Sequence, residues 1–301
     1  SRTLPTYDYL LLLNRLAGRR WGDPGAHPAL PWVLDFSAEP DAATMAASPL
    51  PCPPPPGWRD LTRTAWRLAR GDEQLAAAAA GGGGHVPGDA LSELGYCVSL
   101  ARRLPKTLLT RAVRREFRPG EYPASLARLV AWTADDAPPE AFSDAAFCAS
   151  LHPDLPDLAP PPWAPTGAAA IAAHGDALES AAAASRVPAW IDLTFGAALS
   201  GPAAAAALNT APSPPPGVIP GSGRVRLFDG PHPGRRVGGG GGGTVDAPPP
   251  LAPLAGVPAL GRLAVQLATG RALFADPGDG AWWRAAAAAL APGRVADVAR
   301  A

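Results

Sequence analysis

Lysine is nearly absent: of 26 basic side chains, only Lys106 is a lysine. Alanine, glycine, proline and arginine are abundant instead, a bias that reflects coding composition rather than function. Cysteine is scarce too. Cys52, Cys97 and Cys148 are odd in number, far apart and without a C-x-x-C pair. That excludes a disulfide framework or a zinc site and leaves reduced thiols. Long apolar runs are missing. Leu10–Leu13 is the longest aliphatic stretch outside alanine, with Arg15 close behind, whereas a bilayer span takes about 20 residues and a secretory signal core is also longer. Net charge is zero, which argues against a partner nucleic acid held by overall charge. The first residue is not Met, as expected of a piece of a longer protein.

Catalytic constellations are missing as well. The five histidines, His27, His85, His152, His174 and His232, show no H-x-x-x-H or H-E-x-x-H spacing, so no metal ligands are assigned. His174, on an expected helix near Asp176 and Glu179, reads as a solvated or hydrogen-bonded histidine. No G-x-S-x-G offers a nucleophile elbow, and the glycine-rich loop, lysine and aspartates of a protein kinase are lacking. The six glycines 238–243 follow no alternating strand and open no helix, so they read as linker rather than phosphate loop. Asp135 and Asp136 fall in a Pro-rich stretch and read as solvated caps. The expectation is no catalytic residue, no metal and no cofactor.

Glycine and proline, 33 and 39 residues, make up about 24 % of the chain, near the range where order is lost. Against that background Trp190–Gly196, WIDLTFG, stands out. At about 100° per residue, Leu193, Trp190, Thr194, Ile191 and Phe195 cover more than half of a helix circumference, so this short helix belongs in a core. Pro188 suits its first turn, where no N–H is needed, and Gly196 can stop it. Asp192 falls outside the apolar arc and must pair, cap or reach water; an arginine is the expected partner, with partner recognition as the alternative. Elsewhere Thr6 can cap a helix with core face Tyr9, Leu12, Leu13 and Leu16, ended by Gly18. Pro123 opens one facing Leu126, Leu129, Val130 and Thr133, and Thr166 caps one carrying Ile171, Ala177 and Leu178. Gly175 is expected to weaken that last helix by about 0.5–1 kcal/mol relative to Ala.

Several strings carry a family resemblance. "HGDALES…WIDLTFG" resembles the "HREALES…WIDLIFG" signature of BEACH domains, modules of proteins that control vesicle and lysosome traffic. The early segment with Asn14, Ala17, Gly18, Arg19, Asp23, Pro28, Pro31, Trp32, Val33 and Leu34 resembles the BEACH opening. "LHPDLPDLAPPPWA", residues 151–164, matches the family string at most positions. "WRDLTRTAWRLARGDEQL", residues 58–75, resembles the subclass that joins a kinase-like region, a BEACH domain and a WD-repeat propeller in one chain. The likeness covers residues 6–35, 58–75, 85–164 and 171–201.

The resemblance implies a mainly α, multihelical BEACH fold with extended irregular segments in its core. It implies a BEACH domain over 1–212, with low-complexity insertions near 38–57 and 76–84. A Pro/Gly-rich linker follows over 213–257, then a helical fragment over 258–301 similar to part of a kinase C-lobe. The implied function is a non-catalytic scaffold in endosomal, vacuolar or autophagic traffic, cytoplasmic and peripheral to those membranes. Its partners would be proteins and the neighbouring domains of the same chain. The signature core, structural or partner-binding, is Glu179, Ser180, Trp190, Ile191, Asp192, Leu193, Phe195 and Gly196. Two basic stretches, Arg59, Arg63, Arg67 and Arg70, then Arg102, Arg103, Lys106, Arg111, Arg114 and Arg115, are candidate contacts for an anionic membrane surface or an acidic partner. The rival readings are a degenerate kinase-like phosphotransferase with its other lobe elsewhere, and a lipid-surface binder working through the arginines.

Overall fold

The computed structural model describes residues 4–51, 53–61, 91–133, 136–199, 201–207, 209, 218–219 and 224–234. Expectations for Arg63, Arg67, Arg70, Cys52, residues 76–84 and the helix over 258–301 lie outside these. In chain order the helices are α1 Thr6–Leu16, α2 Ala42–Ala46, α3 Glu93–Ser99, α4 Lys106–Ala112 and α5 Leu126–Trp132. They continue with α6 Glu140–Ser143, α7 Gly167–Glu179, α8 Ala181–Ala184, α9 Val187–Phe195 and α10 Gly201–Ala206. Two minimal antiparallel ladders accompany them. β1 Leu30–Pro31 pairs with β2 Asp136–Ala137, and β3 Val218–Ile219 with β4 Arg224–Val225. The fold is mainly α, as the resemblance implied. Among the described residues no helix is long and apolar enough to cross a membrane.

The core is organised around chain with little regular structure. From Ala29 to Phe36 the backbone runs through the interior with only the two-residue strand β1 and a bridge from Leu34 to Trp58 as ladder, and Leu30, Trp32, Val33, Leu34 and Phe36 are all buried. Buried backbone without a ladder needs other hydrogen-bond partners, and buried polar side chains supply them. Asn14 donates to Ala29 O and accepts from Ala29 N, at 2.8 and 2.9 Å. His174 accepts from Val33 N at 3.1 Å, and Arg19 donates to His27 O at 2.8 Å. This rotates α1 relative to the expected face: Leu10 and Asn14 are buried, while Leu12 and Leu16 lie at its margin.

The helix starts follow local chemistry. Thr166 accepts from Ala169 N at 3.1 Å, as its sequence position predicts, and Ser125, just after Pro123, caps α5. Leu126, Leu129 and Val130 form the buried face of that helix. Thr6 is not a cap. Its N–H and that of Tyr7 donate to the two carboxylate oxygens of Glu179, both at 2.8 Å, so the end of α7 closes the start of α1. A carboxylate there also complements the helix dipole. Gly18, at φ +85°, follows the last turn.

Gly175 has a reason that composition hides. A Cβ there would lie 2.8 Å from Phe142 O, so the glycine lets α7 meet α6 closely. Its helix-propensity cost is set against that contact, and packing is not thinned at this point. Residues 38–57, read as an Ala/Pro-rich loop, contain α2 and bury Leu50, whose backbone accepts from Arg186 at 2.6 Å and donates to Ser185 Oγ at 3.0 Å.

Candidate interaction surface

α9 carries the signature residues, and the structure uses each of them internally. Trp190, Ile191, Leu193, Thr194 and Phe195 are buried. Trp190 sits edge-on to Phe195, with centroids 5.7 Å apart, and its indole N–H donates to Asp136 Oδ1 at 3.0 Å. Asp136 is therefore not the solvated cap read from its Pro-rich context; it is fully buried beside β1. Ser180 accepts from Ala183 N at 3.2 Å and starts α8. Gly196 ends α9 in an extended conformation, and a Cβ there would stand 2.7 Å from Asp192 Oδ1, so the position favours glycine.

Among the described residues Asp192 pairs with no arginine. Its Oδ1 accepts the His232 backbone N–H at 2.8 Å, and burial pushes its carboxyl up to about 6. His232 belongs to residues 224–234, within the stretch read as linker. There Leu227 and Phe228 are buried, and their N–H groups meet Phe195 O at 2.7 and 3.3 Å. Asn209 donates to Leu193 O and Ala198 O, both at 2.8 Å. Together these groups satisfy carbonyls at the end of α9 that no further helical turn can reach. The His232 ring donates from Nδ1 to Pro233 O, so its Nε2 accepts from Tyr9 Oη at 2.7 Å. Desolvation lowers that imidazole to about 4.

His174, His27 and the two described cysteines are also placed in the interior, whereas the indole N–H groups of Trp32, Trp58 and Trp163 and the hydroxyls of Ser99 and Thr194 are buried without a hydrogen-bond partner among the described residues. His174 is fully buried among Trp32, Phe36 and Phe142, the last ring stacked 4.0 Å away. With Nε2 accepting from Val33, Nδ1 donates to Ala141 O at 3.0 Å, and burial lowers the ring to about 3. A neutral, doubly bonded imidazole has no lone pair left for acid–base work. His27 accepts from Gly22 N and faces Glu140 at 3.1 Å. Burial pushes the thiols of Cys97 and Cys148 up to about 11, so both stay protonated and unreactive. Among the described residues no group of three or more His, Cys, Asp and Glu is placed to hold a metal ion.

The basic residues divide. Arg59 and Arg102, candidates for an anionic surface, are only 2 % and 5 % exposed. Arg59 donates to Val130 O at 3.1 Å, and Arg102 to Pro156 O at 2.7 Å and Pro123 O at 2.9 Å. Val130 O lies in the last turn of α5, where no further helical N–H reaches it; Pro123 O and Pro156 O lie in proline-rich chain that offers few ladder partners, and the planar guanidinium of Arg102 reaches both. These two arginines are therefore removed from the candidate surface. Lys106 pairs with Asp154 at 2.7 Å, and Arg111 with Glu93 at 3.5 Å. Arg114 bridges to Glu121, and Arg118 to Glu116 and Glu121. Arg103 and Arg115 form no ion pair among the described residues; Arg115 is exposed and Arg103 half-buried.

What the second basic stretch does not reveal is a groove of about 500 Å³ beside it. Leu94 and Val98 of α3, Val113, Arg114, Arg118 and Trp132 of α5 line it. Leu94 and Trp132 are 51 % and 52 % exposed, two of only four large apolar side chains so exposed among the described residues. Arg128 lies 4.2 Å over the Trp132 ring. Trp132 was legible in principle, since it falls off the Leu126–Leu129–Val130 face of its helix.

No protein-family model matches the chain. Individual relatives do. It is 46 % identical over 235 residues to Protein GFS12 of Arabidopsis thaliana, covering 77 % of this chain and 14 % of that protein. It is 38 % identical over 295 residues to human WD repeat-containing protein 81, covering 92 % of this chain and 14 % of that protein. A relative in Dictyostelium discoideum, named Probable inactive serine/threonine-protein kinase lvsG, is 37 % identical over 295 residues, covering 77 % and 13 %. Suppressor of organelle fusion 2 of Caenorhabditis elegans is 37 % identical over 196 residues, covering 65 % and 13 %. The chain thus spans about 14 % of the length of the curated relatives it matches. At these identities across most of its own length, the chain belongs to the family of GFS12 and WD repeat-containing protein 81, as a segment of the subclass that joins kinase-like, BEACH and WD-repeat regions.

Proposed function

We propose that this segment is a non-catalytic BEACH-type scaffold in membrane traffic, working by docking proteins and neighbouring domains of its own chain. One observation carries the reading. The residues with chemical potential in the signature region, His174, Asp192, Glu179 and the buried arginines, are engaged in holding irregular backbone and helix ends together, and Cys148 is a buried thiol whose ionisation is disfavoured. Exposed recognition chemistry concentrates instead on the face made by α3, α5 and residues 113–121. The names of two relatives, one an inactive kinase and one a suppressor of organelle fusion, support the same direction. The role is cytoplasmic, at endosomal or vacuolar membranes reached through partners, with a WD-repeat propeller and a kinase-like region in the same chain.

Two measurements test this. Purified protein is expected to show no ATP turnover; reproducible turnover abolished by a point substitution in the segment overturns the scaffold reading in favour of a phosphotransferase. The full-length protein, tagged and imaged in cells, is expected on endosomal or vacuolar membranes. A uniformly soluble distribution, unchanged when this segment is deleted, removes the trafficking role.

A further inference from the structure

We propose that the turn over residues 20–26 is a lipid contact, with Trp21 entering the headgroup layer of an anionic membrane while Arg20 and Arg15 meet its phosphates. This rests on the membrane role proposed above and adds a direct contact to docking through partners.

Trp21 is 54 % exposed and is not among the residues that line the groove between α3 and α5. A single exposed apolar side chain needs no explanation, but the turn that presents this one is built in an unusual way. Arg20, Trp21, Gly22, Asp23 and Gly25 are all exposed, while Arg19 and His27 on either side are buried. Arg19 donates to His27 O at 2.8 Å and so closes the base of the turn. Gly22 takes φ +75°, and Trp21 stands edge-on to the His27 ring, with centroids 5.1 Å apart. That ring is itself held between Gly22 N and Glu140. A tryptophan fixed in this way has little rotamer freedom left to lose on binding.

The backbone of the turn is suited to a medium poor in water. Arg20 N donates to Ala26 O at 2.9 Å, Asp23 N to Arg20 O at 3.3 Å and Ala26 N to Asp23 O at 3.1 Å. Gly22 N donates to His27 Nδ1 at 3.1 Å, and Gly25 N to Asp23 Oδ1 at 3.0 Å. Backbone groups already satisfied within the turn cost little when lipid replaces water around them. Tryptophan itself favours the membrane–water boundary, where its ring is sheltered and its N–H stays among polar groups.

Charge selects an anionic surface. Arg20 directly precedes Trp21, and Arg15 lies in the last turn of α1, its carbonyl accepting from Gly18 N at 3.0 Å. Both arginines are exposed, and neither forms an ion pair among the described residues. Asp23 is the one acidic residue between positions 15 and 26, and its Oδ1 is turned onto Gly25 N. Two guanidiniums are therefore open to phosphate oxygens beside the aromatic anchor. An exposed turn needs no cavity to receive it when the partner is a bilayer, whereas a protein partner would have to supply a pocket for the indole.

The test mixes the full chain with phosphatidylcholine vesicles, with and without phosphatidylserine, and follows binding by flotation. Brominated phosphatidylcholine, at vesicle concentrations that bind every form, reports by quenching whether an indole reaches the lipid. The variants are Trp21→Ala and Arg15→Gln with Arg20→Gln, and Leu151→Ala, at a side chain 64 % exposed, is the control. Circular dichroism checks that each folds. Binding is expected to require phosphatidylserine and to weaken as salt rises. Trp21→Ala should weaken it by about tenfold and remove the bromine quenching. The double arginine variant should weaken it by about tenfold at low salt, and Leu151→Ala should leave it unchanged. Folded protein that ignores the anionic vesicles, quenching that survives Trp21→Ala, or binding indifferent to the loss of both arginines overturns the proposal. If vesicles are not bound while the full-length protein still reaches its membranes through this segment, only the lipid contact is removed and the scaffold reading stands; if the full-length protein is uniformly soluble as well, both fall.

Discussion

Acidification should destabilise this fold through its buried histidines, and His174 sets the scale. Burial holds its imidazole at about 3 in the folded state, against 6.5 when free. The proton has nowhere to go. Nδ1 already donates to Ala141 O, and a hydrogen on Nε2 would face the Val33 N–H. Below pH 6.5 the unfolded chain takes up a proton that the folded chain refuses. Stability therefore falls as pH drops from 6.5 toward 3 and is unaffected by this group above that window. At pH 5 the loss is about 2 kcal/mol. His232, lowered to about 4 by desolvation, adds about 2 kcal/mol of the same sign. Asp192 opposes them. Its carboxyl is raised from 3.8 to about 6, so the folded state takes up that proton first. Discounted for its solvent exposure, this recovers at most about 1 kcal/mol at pH 5. The net expectation is about 3 kcal/mol lost between pH 8 and pH 5. Urea unfolding followed by tryptophan fluorescence at both pH values measures it. Proton NMR of the histidine rings assigns it, and His174 should remain neutral at pH 5. A His174 ring that titrates between pH 6 and 7, or equal stability at both pH values, refutes the argument.

Three further outcomes are expected. Trp190→Ala should cost about 3–5 kcal/mol in chemical denaturation, because it opens a cavity beside Phe195 and removes the indole N–H from buried Asp136; a loss below about 1 kcal/mol would place α9 outside the core. Arg102→Gln should destabilise by about 2–4 kcal/mol by stranding Pro123 O and Pro156 O, whereas Arg115→Gln should stay within about 0.5 kcal/mol; similar values for the two would undo the division of the arginines. Gly175→Ala, stabilising on helix propensity alone, should instead cost about 1–3 kcal/mol, since Phe142 O stands where the methyl must go; a raised thermal midpoint would refute the close α6–α7 contact.

What the sequence determined by itself is whatever rests on neighbours along the chain. Thr166 as a cap, Pro188 in the first turn of α9, Gly196 as its stop and the buried Leu126–Leu129–Val130 face all follow from local geometry and periodicity. The family, too, was legible, because the strings around Trp190 and His152 match the family's signature amid alanine-rich sequence. Only the tertiary structure decided the partners of polar groups. Arg59 and Arg102 look like surface charge in a one-dimensional reading; they are buried because carbonyls far along the sequence need donors, Val130 O at the end of α5 for Arg59 and Pro123 O and Pro156 O of proline-rich chain for Arg102. Asp192 meets the backbone N–H of His232, and Glu179 takes the N–H groups that open α1, because backbone donors distant in sequence need acceptors just as the carbonyls need donors. The groove beside Leu94 and Trp132 joins residues 38 positions apart, and no periodicity links them. Periodicity reports which side of an element is apolar; where the core is built from irregular chain, the polar side chains that complete it are chosen by contacts only folding creates.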